Sequence, residues 1–221
     1  MSIDQVTALL RAMSSDARAQ VLKFLREELR IPIHPLEDEW NTTAEAILEA
    51  IHASPDLTQR GVRGILAEAT FRTVVVPTLN GWTDIPFFGD QAHDLLLRRG
   101  NVSVRVQVKQ QRRERGVPKL YAEKGYRNPG NVYTVETQRT RTGKAKDGGA
   151  TRPYKRNEFD VLAVCMQAVD GDWRSFVYCP AQLLLPRADD ESLLKVMQPV
   201  YLDGQSGWTR AFDEAVTGAG L

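Results

Sequence analysis

The sequence predicts an α+β fold: a helical opening segment, a central mixed β-sheet flanked by helices, and helices at the end. Three observations carry this reading. Up to about residue 75 apolar side chains recur at three- and four-residue spacing, the helical period. From Thr73 onward short β-branched and apolar runs follow one another with turn residues between them. Beyond Asp189 the helical spacing returns. At 221 residues and 42% hydrophobic content the chain is long enough and apolar enough to bury a core.

Taken in order, "IDQVTALLRAM" and "DARAQVLKFLREELR" read as two amphipathic helices, the second capped by Ser14 or Ser15. "IPIHPLEDEW" is a proline-broken connector. "TTAEAILEAIHA" is a third helix behind Thr42 or Thr43, and "TQRGVRGILAEATFR" a fourth from about Thr58. The strands expected next are "TVVVPTL", "DLLL", "VSVRVQVK", "VYTVETQ", "FDVLAVCM" and "WRSFVYC", the last two joined by a turn at "DGD". Polar connections fill 114–131 and 141–157, and "DDESLLKVMQ" and "WTRAFDEAV" are the closing helices. The expected organisation is a helical segment over 1–57, packed on or appended to a core over 58–221.

Composition excludes several classes. No apolar run approaches the ~20 residues that cross a bilayer, so no membrane role is expected. The opening residues lack the pattern of a secretory leader. Two cysteines, Cys165 and Cys179, make neither a disulfide framework nor a zinc site, and a reducing cytoplasm is the expected compartment. The net charge of +1 conceals a strong asymmetry. From Arg98 to Arg156 there are 17 Lys/Arg against 4 Asp/Glu, and the rest of the chain is acidic. A solvated basic face is the plain reading, but concentration on this scale favours a polyanionic partner.

Gly100-Asn101 suits a two-residue hairpin loop in which both residues accept positive φ. Counting back from it sets Arg99 opposite Val102, Leu97 opposite Val104 and Asp94 opposite Gln107. Alternation then puts Val102, Val104, Val106 and Val108 on one face with Leu95 and Leu97. Ser103, Arg105, Gln107 and Lys109 share the other with Asp94. That face is either a solvated edge or a site. An aspartate is disfavoured in strands, and one set beside three leucines, with a lysine nearby, favours the site.

These residues resemble the metal-binding signature of the PD-(D/E)XK nuclease superfamily, an Asp followed across a hairpin by an acid-x-Lys triplet. Asp94 matches the Asp and Lys109 the Lys; the triplet is Gln107-Val108-Lys109, with an amide where the family has an acid. Glu68, in "GILAEATFR", matches a Glu that the superfamily carries on the helix before its first core strand, with Gly64 and Ala67 allowing that helix a close approach. The resemblance covers about residues 60–180. It implies a restriction-endonuclease-like core, with Asp94, Glu68, Gln107 and the Val108 carbonyl holding Mg²⁺ and Mn²⁺ as a substitute. Asp94, Glu68, Gln107 and Lys109 would be the catalytic set, Lys109 orienting the attacking water.

The implied activity is site-specific cleavage of double-stranded DNA by a type II restriction enzyme, acting as a homodimer and leaving 5′-phosphate ends. No P-loop is present, so no nucleotide cofactor is expected. DNA contacts fall to Gln110, Gln111, Arg112, Arg113, Arg115, Lys119 and Lys124 after the hairpin. A second block comprises Gln138, Arg139, Arg141, Lys144, Lys146, Arg152, Lys155 and Arg156. Asp84 and Asp90 read as loop residues within reach of a second metal, Asp160 as an organiser of a strand edge, and His93 and the two cysteines as packing residues. The alternatives are a repair or branched-DNA nuclease of the same superfamily, and a catalytically silent DNA-binding protein that retains the fold.

Overall fold

The computed structural model describes residues 2–29, 31–32, 34–89, 91–139 and 153–221. The chain divides into two compact units, 1–59 and 60–221. The first contains α1 (Ile3–Ala12), α2 (Ser15–Glu27), a short α3 (Leu36–Glu39) and α4 (Ala44–Ala53), and α5 (Asp56–Thr70) runs across the boundary. Ser2, Ser14 and Thr43 cap α1, α2 and α4 through their hydroxyls, which supply acceptors to amides that the first turn leaves unpaired. Glu37 is buried and holds this unit together: its carboxylate accepts from Arg26 at 2.9 Å, the Ala44 amide at 2.7 Å and the His34 amide at 3.2 Å. No helix among the described residues is long and apolar enough to cross a membrane.

The second unit is built on a five-stranded mixed sheet of order β1-β2-β3-β7-β8. Its strands are β1 (Thr83–Asp84), β2 (Leu95–Arg99), β3 (Val102–Gln110), β7 (Val161–Cys165) and β8 (Phe176–Pro180). The β2–β3 hairpin has the expected register, with Arg99 opposite Val102 and Leu97 opposite Val104. Its turn differs from expectation: Gly100 has φ +57°, whereas Asn101 is not left-handed, so only the first loop residue needs glycine's freedom. β3 and β7 run parallel, and all other pairs in this sheet are antiparallel.

Two apolar layers sandwich the sheet. On one face Leu95, Leu97, Val104, Val106, Val108, Ala163, Phe176 and Tyr178 pack against Ala67 and Phe71 and against Phe212, Ala215 and Val216 of α6 (Phe212–Gly218). On the other, Leu162, Val164, Val177 and Cys179 meet Val135, Tyr154, Phe159, Leu194, Val200 and Trp208. This second layer includes a separate two-stranded sheet, β6 (Val132–Glu136) with β9 (Met197–Tyr201).

Two expectations are overturned. "TVVVPTL" is not a strand: α5 continues through a π-helical turn, Phe71–Val75, into a 3₁₀ turn, Val76–Thr78. Ala67, Phe71 and Val75 are buried at four-residue intervals while Val74 is 42% exposed, so helical burial overrides the strand preference of the valines. "DDESLLKVMQ" is not a helix. Asp190 accepts from Ser192 in a local turn, and the buried Gln198 amide bonds Leu185 N–H, Leu185 C=O and Lys195 C=O, pinning two extended segments side by side. "VYTVETQ" supplies β6, which pairs with β9 rather than joining the central sheet. The 114–131 connection also carries a tight hairpin, β4 (Arg113–Glu114) with β5 (Val117–Pro118), turning through left-handed Arg115 and Gly116.

Candidate active site

The site begins where β3 outruns its partner. β2 pairs with β3 only as far as Val106, while β7 pairs from Val106 to Gln110 on the other side. Past Val106 the β2-facing edge of β3 has amides without a strand to receive them. Asp94, just ahead of β2, fills that gap: its Oδ2 accepts the Val108 N–H at 2.8 Å and a hydrogen bond from Gln107 Nε2. The Asp94 amide donates to Val106 C=O at 2.9 Å, which fixes the aspartate at the fork. A carboxylate serves here as the end cap of a truncated ladder, which the hairpin register alone does not reveal.

Gln107 is buried and donates through Nε2 to Asp94 and to the Val108 carbonyl at 3.3 Å. Asp94 Oδ1 and Gln107 Oε1 accept from none of the described residues. Lys109 follows on the same face, its ammonium 5.3 Å from the centre of the Tyr154 ring. Burial pushes the Asp94 carboxyl up to about 6, against the opposing pull of Lys109, the Val108 amide and Arg72. Burial also lowers the Lys109 pKa, and Asp94 and Glu68 work against that. Each group is thus partly dehydrated, and each charge acts on the other.

Glu68 arrives from α5. The sequence places it before a strand, and the structure places it one turn before the π-helical segment. It lines an open hollow of about 450 Å³ with Arg72, Phe87, Gln91, His93 and Asp94, and its charge acts on both Asp94 and Lys109. Ala67 is fully buried as expected, but Gly64 has open space where a Cβ would stand and is not needed for a close approach. The sequence reading missed Arg72. Its guanidinium bonds Asp84, Glu68 Oε1 at 3.3 Å and the Asp94 carbonyl at 2.9 Å, tying three elements together. Its position four residues after Glu68 on a helix was the available signal. Asp84 lies on β1, not in a loop; its Oδ2 accepts from Arg72 and its Oδ1 is buried without a hydrogen-bond partner among the described residues, while Asp90 lies outside the described residues.

Among the described residues no three His, Cys, Asp or Glu side chains cluster as a ready-made metal site. What the fork offers a cation is two carboxylates, Asp94 and Glu68, and the Gln107 amide oxygen. An all-oxygen set of this kind fits a hard divalent cation such as Mg²⁺, with charge from the acids and neutral donation from the amide. His93 stacks against Phe87 with centroids 4.8 Å apart, a packing role as expected, and its pKa is lowered by burial and by Arg105. Asp160 receives the Arg105 amide at 2.7 Å and its guanidinium at 2.7 Å, and so organises the β3 edge. Cys165 and Cys179 are buried, with burial raising their thiol pKa values to about 11 and about 12.

Many of the expected DNA-contacting cations already have partners. Arg112 pairs with Glu136, Arg139 with Glu158 at 2.6 Å, and Lys119 with Glu114 at 3.2 Å. Arg156 donates to the Gln182 carbonyl, and Gln138 donates to Glu136. Gln111 is buried and donates to the Lys119 carbonyl at 3.1 Å. Arg113 donates to Gln167 Oε1 at 2.9 Å. Arg115, Lys124 and Lys155 are exposed. Arg141, Lys144, Lys146 and Arg152 lie outside the described residues. Tyr154 and Gln167 also escaped the sequence reading, because neither follows a periodic pattern that marks a site.

No protein-family model and no curated protein matches the chain. Among solved structures it resembles a bacterial homing endonuclease, I-Ssp6803I, at 24% identity, over 56% of this chain and 70% of that one, with a TM-score of 0.36. A TM-score of that size is too low for the likeness to assign a fold or an activity.

Proposed function

We propose that the chain is a Mg²⁺-dependent endonuclease that hydrolyses phosphodiesters in double-stranded DNA at specific sites, in the manner of a type II restriction enzyme. One observation carries the reading: the β2–β3 fork sets the Asp94 carboxylate against the Gln107 amide, with Lys109 on the same face and the charges of Lys109 and Glu68 both acting on Asp94. The basic stretch around it supplies the attraction for a polyanion. A bound Mg²⁺ supplies charge neutralisation at the phosphate and a water of lowered pKa. Asp94, Glu68 and Gln107 would hold it. Lys109 orients the attacking water and contacts the phosphate; water oxygen bonds to phosphorus as the bond to the 3′ oxygen breaks. The products are a 5′-phosphate and a 3′-hydroxyl, the latter taking its proton from solvent. Two chains acting on a palindromic site would cut both strands.

The test is incubation of the purified chain with long phage and plasmid DNA in Mg²⁺ or EDTA, beside Lys109→Ala and Asp94→Asn. Discrete fragments that need Mg²⁺ are expected, with activity reduced by about 10³-fold or more in each variant, on the scale of losing one preorganised charge in a dry site. Cuts confined to branched substrates would move the reading to a repair nuclease. Intact DNA in Mg²⁺ and Mn²⁺, with binding retained, would leave a silent DNA-binding protein.

A further inference from the structure

Buried donors without acceptors are rare in folded proteins, and each calls for a reason. Here they concentrate. Among the described residues Gln110 Nε2 and the Nε atoms of Arg112, Arg113 and Arg139 are all buried without a hydrogen-bond partner, within or just beyond the ends of β3 and β6. Such a group of donors is suited to a ligand that brings acceptors. The four are not equivalent. Arg112 and Arg139 have carboxylate partners, Glu136 and Glu158, which neutralise them. Arg113 pairs with no acid among the described residues; its side-chain partner there is the neutral Gln167 amide oxygen at 2.9 Å.

That pairing follows from the sheet. Gln110 lies opposite Cys165 in the parallel β3–β7 pair, and both chains leave the sheet at the same end. Arg113 follows one and Gln167 the other, so two strand ends place an amide acceptor against a guanidinium. The amide fixes the plane of the guanidinium without cancelling its charge, and leaves Nη1 and the second hydrogen of Nη2 without an acceptor among the described residues. An exposed arginine suits a phosphate, and Arg115 at the tip of the β4–β5 turn is of that kind. A recessed, oriented fork suits two acceptors side by side in one plane. The guanine major-groove edge, with N7 and O6, presents that pattern.

We propose that Arg113, oriented by Gln167, is a specificity-determining residue that reads a guanine in the duplex, with Gln110 supplying a neighbouring donor. The inference rests on the DNA-cleaving function proposed above and names what that site recognises. Gln167 is a positioning residue, acting only through Arg113.

The test needs binding but no cleavage. The full chain, in EDTA, selects from a partly randomised duplex library, and affinities are then measured for the selected site and its single-base variants. A guanine fixed at one position is expected, with adenine or 7-deazaguanine there weakening binding by about 10–100-fold. In Arg113→Ala that discrimination falls to within about twofold, and in Arg113→Lys, which keeps the charge without the planar fork, it is also largely lost. Gln167→Ala gives an intermediate discrimination with an unchanged salt dependence. Thermal melting confirms that each variant is folded. An Arg113→Ala chain that binds every sequence more weakly by one common factor, with a salt slope reduced by about 1, would identify a phosphate contact and overturn the inference alone. Absence of any selected guanine overturns it as well. A wild-type chain that binds no duplex overturns the proposed function together with it.

Discussion

The Asp94 carboxyl has an unfavourable position that its chemistry explains. Moving its pKa from 3.8 to about 6 costs about 3 kcal/mol at pH 8, where it is ionised whether the chain is folded or not. The folded pKa is the higher one, so this cost is absent below about pH 4, grows as pH rises through 4 to 6, and is fully present above 6. Asp94→Asn removes the charge and can keep an amide oxygen where Oδ2 accepts both the Val108 N–H and Gln107 Nε2. In EDTA at pH 8 the variant is expected to be more stable than wild type by about 2 kcal/mol, about 1 kcal/mol being lost because hydrogen bonds to a neutral oxygen are weaker than those to a carboxylate. At pH 4.5 the gain should largely disappear. Denaturant melts at the two pH values measure this, and equal stability at pH 8 would show that Asp94 is not held against its own hydration. Tyr154 belongs to the same scale. Its ring lies 5.3 Å from the Lys109 ammonium and 5.5 Å from the Arg139 guanidinium. Tyr154→Phe keeps the ring face and Tyr154→Leu removes it. Cleavage at saturating DNA is therefore expected to fall about tenfold in the leucine variant and to be retained in phenylalanine, with DNA affinity changed little in either; a fall in affinity instead would assign the ring to binding.

Among the elements, the hairpin was legible and the helix was not. A two-residue loop and strict alternation are local, so the face shared by Asp94, Gln107 and Lys109 follows from counting along 94–109. The end cap that Asp94 makes is not local, because it exists only where β7 takes over from β2 as the partner of β3. The valines after Arg72 suggested a strand, but burial at four-residue intervals against the sheet makes them helical, and a sequence window cannot contain that partner. Gln167 meets Arg113, and Tyr154 meets Lys109, more than 40 residues away along the chain. The π-helical turn has a consequence of its own. By inserting a wider turn after Thr70 it sets the segment whose Arg72 grips Glu68, Asp84 and the Asp94 carbonyl. Arg72→Ala is expected to destabilise the chain by about 1 kcal/mol, since the group is partly exposed, and to speed hydrogen exchange at the start of β2. Arg72→Lys should not restore protection, because one ammonium does not span three acceptors as a planar fork does.

For the whole molecule, the charge asymmetry sets how it meets DNA, and the ion pairs set how much of that charge is usable. The stretch from Arg98 to Arg156 carries 17 cations, but Arg105, Arg112, Lys119 and Arg139 face Asp160, Glu136, Glu114 and Glu158. A cation that already has a carboxylate partner has little counter-charge to release when a phosphate approaches. Affinity for nonspecific duplex should therefore fall with salt as if about six phosphates were contacted, a slope near −5 in log K against log salt, and not the far steeper one the raw count implies. The same reasoning separates two neighbours. Arg115→Ala, at an exposed turn with no acid partner among the described residues, should flatten the slope by about 1, whereas Arg112→Ala should leave it almost unchanged. Glu136→Gln should steepen it by about 1, because it frees Arg112 for the phosphate. Fluorescence titrations of each variant between 50 and 200 mM salt, at fixed pH in EDTA, measure all three slopes. Equal flattening by Arg112→Ala and Arg115→Ala would mean that DNA displaces the Arg112–Glu136 pair, and that the internal ion pairs do not ration the charge of this face.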